Sequence, residues 1–136
     1  MKGSRYHWLA WVACALWVAV IFRQSAMVAE ASNVESRGLL SWVVQVLPFM
    51  THHLLRKLAH FCEFAVLGCL LALAFKKYSF YALLVGLLCA LSDETIQLFV
   101  PGRSGQVSDV WLDFGGIATG VLAGTVLIWL FSRHRT

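Results

Sequence analysis

Four apolar runs, each long enough to cross a bilayer, decide what this chain of 136 residues can become. They cover Tyr6 to Phe22, Leu54 to Phe75, Tyr78 to Val100, and Asp109 or Val110 to Phe131. A hydrocarbon core about 30 Å thick takes roughly 20 apolar residues in helical form. Inside lipid the backbone must satisfy its own hydrogen bonds, so runs of this length span as helices. The expectation is an all-α, multi-pass transmembrane bundle of four helices, in a single domain over residues 1–136. Hydrophobic residues at 60% and charged ones at 13% place the chain outside the soluble globular class. A net charge of +4 would suggest nucleic acid in a soluble chain. Here the basic residues flank the spans, where topology accounts for them, and no nucleic-acid partner is expected.

The segments between the spans add detail. Tyr6 to Phe22 follows Lys2 and Arg5 and precedes small residues, as a cleaved signal peptide would. Its length and its tryptophans (Trp8, Trp11, Trp17) favour a retained helix instead. Arg23 to Arg37 is polar and reads as a loop. Gly38 to Met50 is too short to span, but its polar and small positions Gly38, Ser41, Gln45 and Pro48 recur at three or four residues. That spacing predicts a short interfacial or re-entrant helix over about 38–50. The four cysteines (Cys14, Cys62, Cys69, Cys89) all lie within apolar runs and read as packing residues.

Orientation follows from charge. The N-terminus (Lys2, Arg5), the turn at Lys76-Lys77 and the C-terminus (Arg133, Arg135) carry six basic residues and no acid. A four-span chain puts these segments on one side, and the positive-inside rule makes that side cytoplasmic. Residues 23–55 and 101–108 then face outward, away from the cytoplasm.

Against this apolar background, Asp93 to Gly120 holds four of the seven acidic residues. Each ionisable group within a span costs about 2.5–3.5 kcal/mol on insertion scales, so a cluster of them marks a candidate site. Lys57, His60 and Glu63 step down one face of the second helix. Asp93, Glu94 and Gln97 lie near the outer end of the third, and Asp109 and Asp113 open the fourth. At 1.5 Å per residue, Glu63, Asp93, Glu94 and Asp113 fall about 5–15 Å below one rim. Arg103 sits on the short loop above them. A lone ion pair would be read as a lock between helices, but polar groups from three helices at one depth exceed what locking requires. Gly116, Gly120 and Gly124 form a stripe that admits a neighbouring backbone and brings Asp113 toward the facing helix. His52 and His53 read as solvated loop residues.

These residues resemble a known pattern. Lys57-x-x-His60-Phe61, Asp93-Glu94-x-x-Gln97-x-Phe99, Arg103, Asp109 and Gly116 together are similar to the VanZ-like family of small bacterial membrane proteins. The likeness is strongest over residues 57–120, and Phe22-Arg23-Gln24-Ser25 looks like the polar stretch after that family's first helix. Asp113 stands where the family usually has Asn. The resemblance implies a cell-envelope protein of the kind linked to low-level resistance to the glycopeptide teicoplanin. It implies no particular reaction.

An outward pocket at headgroup depth suits a membrane lipid or an anionic, lipid-linked envelope precursor. Lys57 and Arg103 at its mouth, with Gln97, Asp109 and Asp113, would bind the substrate, while Asp93, Glu94, His60 and Glu63 would act as acids and bases. The five carboxylates sum to −5 and Lys57 and Arg103 to +2, leaving −3. Carboxylates crowded at low dielectric do not all ionise, so either protons or a divalent cation, the one cofactor the count suggests, completes the balance. On the family pattern Asp113 is the surplus charge. No nucleophile elbow, HExxH or phosphate loop is present, so no reaction class follows. A small transporter or proton relay is the second reading, weakened because Leu67 to Phe75 and Leu83 to Leu91 carry no charged group. A non-catalytic subunit of an envelope complex is the third, and a homo-oligomer is left open.

Overall fold

The computed structural model describes residues 7–27, 38, 41–45, 47, 51–76, 78–103 and 105–133, without the side chain of His52. Four long helices follow in order: α1 (His7–Ser25), α2 (His52–Phe75), α3 (Ser79–Leu98) and α4 (Val107–Arg133). All four are long and apolar enough to cross a membrane, and no strand occurs among the described residues. The all-α multi-pass bundle expected from the sequence is the observed fold. Of the short helix expected over 38–50, Gly38 and residues 41–45 are helical. There Leu47 N–H donates to Val43 O at 2.8 Å. Its other residues lie outside the described set.

Local chemistry shifts each boundary slightly from the hydropathy limits. Helix α2 starts at His52, two residues early, because the Thr51 hydroxyl accepts from Leu54 N–H at 3.2 Å and caps it. It ends where Lys76 takes φ 54°, with its N–H bonded to Ala72 O. Helix α3 stops at Leu98, since Pro101 disfavours helical backbone at Val100. Gly102 then turns the chain at φ 78°, a conformation that favours glycine. Helix α4 begins at Val107, with Asp109 in its first turn, where a negative charge suits the helix N-terminus. Helix α1 runs on through Arg23 to Ser25 instead of yielding to loop at Arg23.

Helices α2 and α4 form the main interface, with α1 packed on α2 and α3, and α3 also on both central helices. The glycine stripe of α4 sets the spacing. A β-carbon at Gly116 would lie 2.5 Å from Phe61 O, and one at Gly120 would overlap Ala65 O outright. One at Gly124 would lie 2.8 Å from Ala72 Cβ. The backbones therefore touch, as small-residue stripes in lipid allow. Phe64, Leu67, Leu71 and Ile117 fill the interior. Bulky residues such as Trp8, Leu16, Leu88, Trp111 and Leu122 point outward, the direction lipid would occupy. The four cysteines are free, with Cys14 buried, Cys62 exposed and the others between.

The two ends of the bundle differ. At the end with the Lys76 turn, His7 Nε2 donates to Ala74 O at 2.6 Å, and Trp11, Phe75, Tyr78 and Tyr81 form a chain of ring contacts. Such aromatics suit a membrane interface. At the opposite end the buried side chains are polar.

Candidate functional site

Five buried polar residues lie together at that second end: Ser25 of α1, Asp93, Glu94 and Gln97 of α3, and Asp113 of α4. Asp93 and Asp113 are both 0% exposed. Counting along the helices, Asp93 is about 7 Å inside the end of α3 and Asp113 about 9 Å inside the start of α4.

Asp93 is well supplied with donors. The Ser25 hydroxyl donates to its Oδ1 at 2.5 Å, and Gln97 Nε2, one turn along the same helix, donates to Oδ2 at 2.9 Å. Asp113 has no such support, for among the described residues no group donates a hydrogen bond to either of its oxygens. His60 of α2 stands between the two. Its Nδ1 is 3.9 Å from Asp93 Oδ2 and 3.9 Å from Asp113 Oδ1, too far for a hydrogen bond in either case. The α4 glycine stripe explains the meeting: close α2–α4 packing holds His60 and Asp113 face to face across the interface.

Above this buried level a cleft of about 60 Å³ opens toward the helix ends. A water occupies at least about 10–15 Å³ by the same measure, so the cleft takes a few waters or one small ionic group. His60, Glu94, Gln97 and Asp113 form its inner part, and His53, Arg56, Lys57 and Arg103 bring basic groups to its wall. Lys57 Nζ pairs with Asp109 Oδ1 at 2.8 Å, tying α2 to α4. Both partners are about 30% exposed, so the pair adds little stability. Glu94 Oε2 accepts from Gln106 N–H at 2.8 Å, which pins the 99–106 loop to α3.

Arg103 is held in two directions. Its Nε donates to Met27 O and its Nη2 to Gln24 O, each at 3.0 Å, satisfying carbonyls at the end of α1. The sequence reading gave this side chain to the ligand alone. The structure gives it a share in closing the loop over α1. Burial and the neighbouring Arg56 guanidinium lower the Arg103 pKa from its ordinary value, against the pull of Asp93, Glu94 and Glu63.

Most residues singled out in the sequence converge here. Lys57, His60, Glu94, Gln97, Arg103, Asp109 and Asp113 line the cleft, and Asp93 lies just behind His60. Glu63 is not in the lining; its backbone carbonyl accepts from Trp17 Nε1–H of α1 at 2.9 Å. Four contributors went unrecognised: Ser25 behind Asp93, and His53, Arg56 and Gln106 around the cleft. Ser25 had a signal, as part of the polar Arg23-Gln24-Ser25 end of an otherwise apolar helix. His53 and Arg56 lie one turn before Lys57 and His60 on the same helix, at a spacing that places them on a shared face.

Searches of curated proteins and of solved structures find no significant match to this chain. A family profile described as VanZ/LLP1 matches residues 10–131. That span takes in nearly all of α1 to α4 and every residue of the cleft, so this multi-pass membrane chain belongs to the VanZ/LLP1 family.

Proposed function

We propose that the cleft holds the anionic group of a membrane lipid or lipid-linked envelope compound, on the outer face of the bacterial cytoplasmic membrane. The observation that carries this reading is a small polar recess at one end of the bundle with Arg56, Lys57 and Arg103 on its wall. Arginine forks recognise phosphate-like groups, and at a volume of about 60 Å³ only the head of such a molecule enters. Its acyl chains would stay in the surrounding lipid. The outward placement rests on the six basic residues at the other end and in the termini.

Within this reading Glu94, on the inner wall of the cleft, is the group able to exchange a proton with a bound head. Asp93 lies behind His60, outside the lining, and Glu63 is likewise not part of it. No reaction class follows from the arrangement. The family's link to teicoplanin gives the expected phenotype, a shift in sensitivity to that glycopeptide.

Native mass spectrometry on gently extracted protein tests the proposal. The parent should carry an anionic lipid adduct that is lost from Arg56→Ala/Arg103→Ala. Cells expressing the double variant should match cells without the gene in teicoplanin sensitivity. A parent that retains only zwitterionic lipid, or a variant that keeps the anionic adduct, would sink the reading.

A further inference from the structure

Asp113 poses a problem that the cleft alone does not resolve. It is 0% exposed, and both oxygens lack a hydrogen-bond partner among the described residues. Buried polar groups in folded proteins almost always have partners, and an orphan carboxylate calls for a reason. His60, across the interface, is 3.9 Å away and equally close to Asp93. One ligand atom from each of His60, Asp93 and Asp113 lies within 4.8 Å of the others. Three groups thus surround a point that none of them fills.

We infer that His60, Asp93 and Asp113 bind one divalent transition-metal ion. Two carboxylates supply −2 to match the charge of the ion, and a neutral imidazole adds the third donor. Metal–ligand bonds of about 2.0–2.2 Å put tetrahedral neighbours about 3.4 Å apart. The two 3.9 Å separations from His60, and an Asp93–Asp113 separation within 4.8 Å, therefore close on an ion as the side chains rotate. One imidazole with two carboxylates fits Zn²⁺ or Mn²⁺, whereas Ca²⁺ takes six to eight oxygens.

The surroundings fit as well. Ligating carboxylates are themselves hydrogen-bonded, and Ser25 and Gln97 orient Asp93 in this way. His60 and Asp113 line the cleft while Asp93 does not, so the remaining coordination positions face the cleft. A fully protein-enclosed structural site would have no such opening. Asp113, the surplus charge on the sequence reading, becomes a ligand. The inference does not depend on the occupant proposed for the cleft, although a bound ion would give an anionic head a cationic partner.

The test uses full-length protein in metal-free detergent, stripped with a chelator and titrated with Zn²⁺, Mn²⁺ or Ca²⁺ alone. The parent should take up about one Zn²⁺ or Mn²⁺ per chain, and its Tm should rise by about 5 °C at saturation. His60→Ala and Asp113→Asn should bind at least ten-fold more weakly, while Glu63→Gln should behave as the parent. Co²⁺ in the parent should give d–d bands of nitrogen and oxygen ligation, a readout that needs no variant to fold. Uptake below stoichiometry without a Tm shift, unchanged binding by Asp113→Asn, or thiolate bands with Co²⁺ would each overturn it. No lipid is added in this assay and the readouts follow the metal alone, so the metal site and the lipid reading fail separately.

Discussion

Replacing Gly120 by alanine should loosen the bundle at the interface that sets the site. A β-carbon there overlaps Ala65 O and lies 2.8 Å from both Ala65 C and Cys69 N. Non-bonded carbon contacts settle near 3.5–4.0 Å, so α4 must withdraw from α2 by about 1 Å. The obstructing atoms are backbone, which has no rotamer to turn aside. The cost therefore falls near the top of the usual overpacking range, about 3 kcal/mol. Exchanging glycine for alanine within a helix returns about 1 kcal/mol, leaving a net loss of about 2 kcal/mol. Gly115→Ala is the matched control: its β-carbon would meet only Phe61 Cε2 at 3.7 Å, an ordinary contact, so stability should hold or rise slightly. Unfolding by increasing SDS in mixed micelles, followed by tryptophan fluorescence, would compare the two. Asp113 lies seven residues, about 10 Å, from Gly120, so the same withdrawal should widen the gap to His60. A Gly120→Ala protein as stable as Gly115→Ala would show that the α2 and α4 backbones are not in contact and refute the packing argument.

Two further outcomes are expected. In a background without the native cysteines, cysteine at Ser36 or Ser104 should react with a membrane-impermeant reagent in whole cells, and cysteine at Thr136 should not. Protection at Ser104 would invert the bundle and turn the cleft toward the cytoplasm. Ser25→Ala removes a buried hydroxyl that donates at 2.5 Å to the Asp93 carboxylate, and should cost about 1.5–3 kcal/mol in the SDS assay. Unchanged stability would mean that α1 is not held to α3 through this bond.

Sequence alone determined the spans and the depth of the polar residues. Hydropathy fixes how far a residue lies along the membrane normal, and the constant rise of a helix converts residue number into depth. Glu63, Asp93, Glu94 and Asp113 were placed at one level on that basis; Glu94 and Asp113 meet in the cleft with Asp93 just behind His60, whereas Glu63 does not join them. The glycine stripe was likewise legible, because small residues four apart admit a backbone whatever the partner is.

Only the tertiary structure decided which way each helix faces and which helices touch. Helix α1 is apolar nearly all round, so its period does not separate the lipid side from the protein side. Packing alone turned Ser25 toward Asp93 and left Glu63 outside the cleft lining. Likewise Arg103 found the carbonyls of Gln24 and Met27, which are distant in sequence and carry no side-chain signal. The orphaned carboxylate of Asp113 is a property of the assembled bundle for the same reason. Depth is written one helix at a time, whereas facing and neighbour order arise from contacts between helices, which no single stretch of sequence specifies.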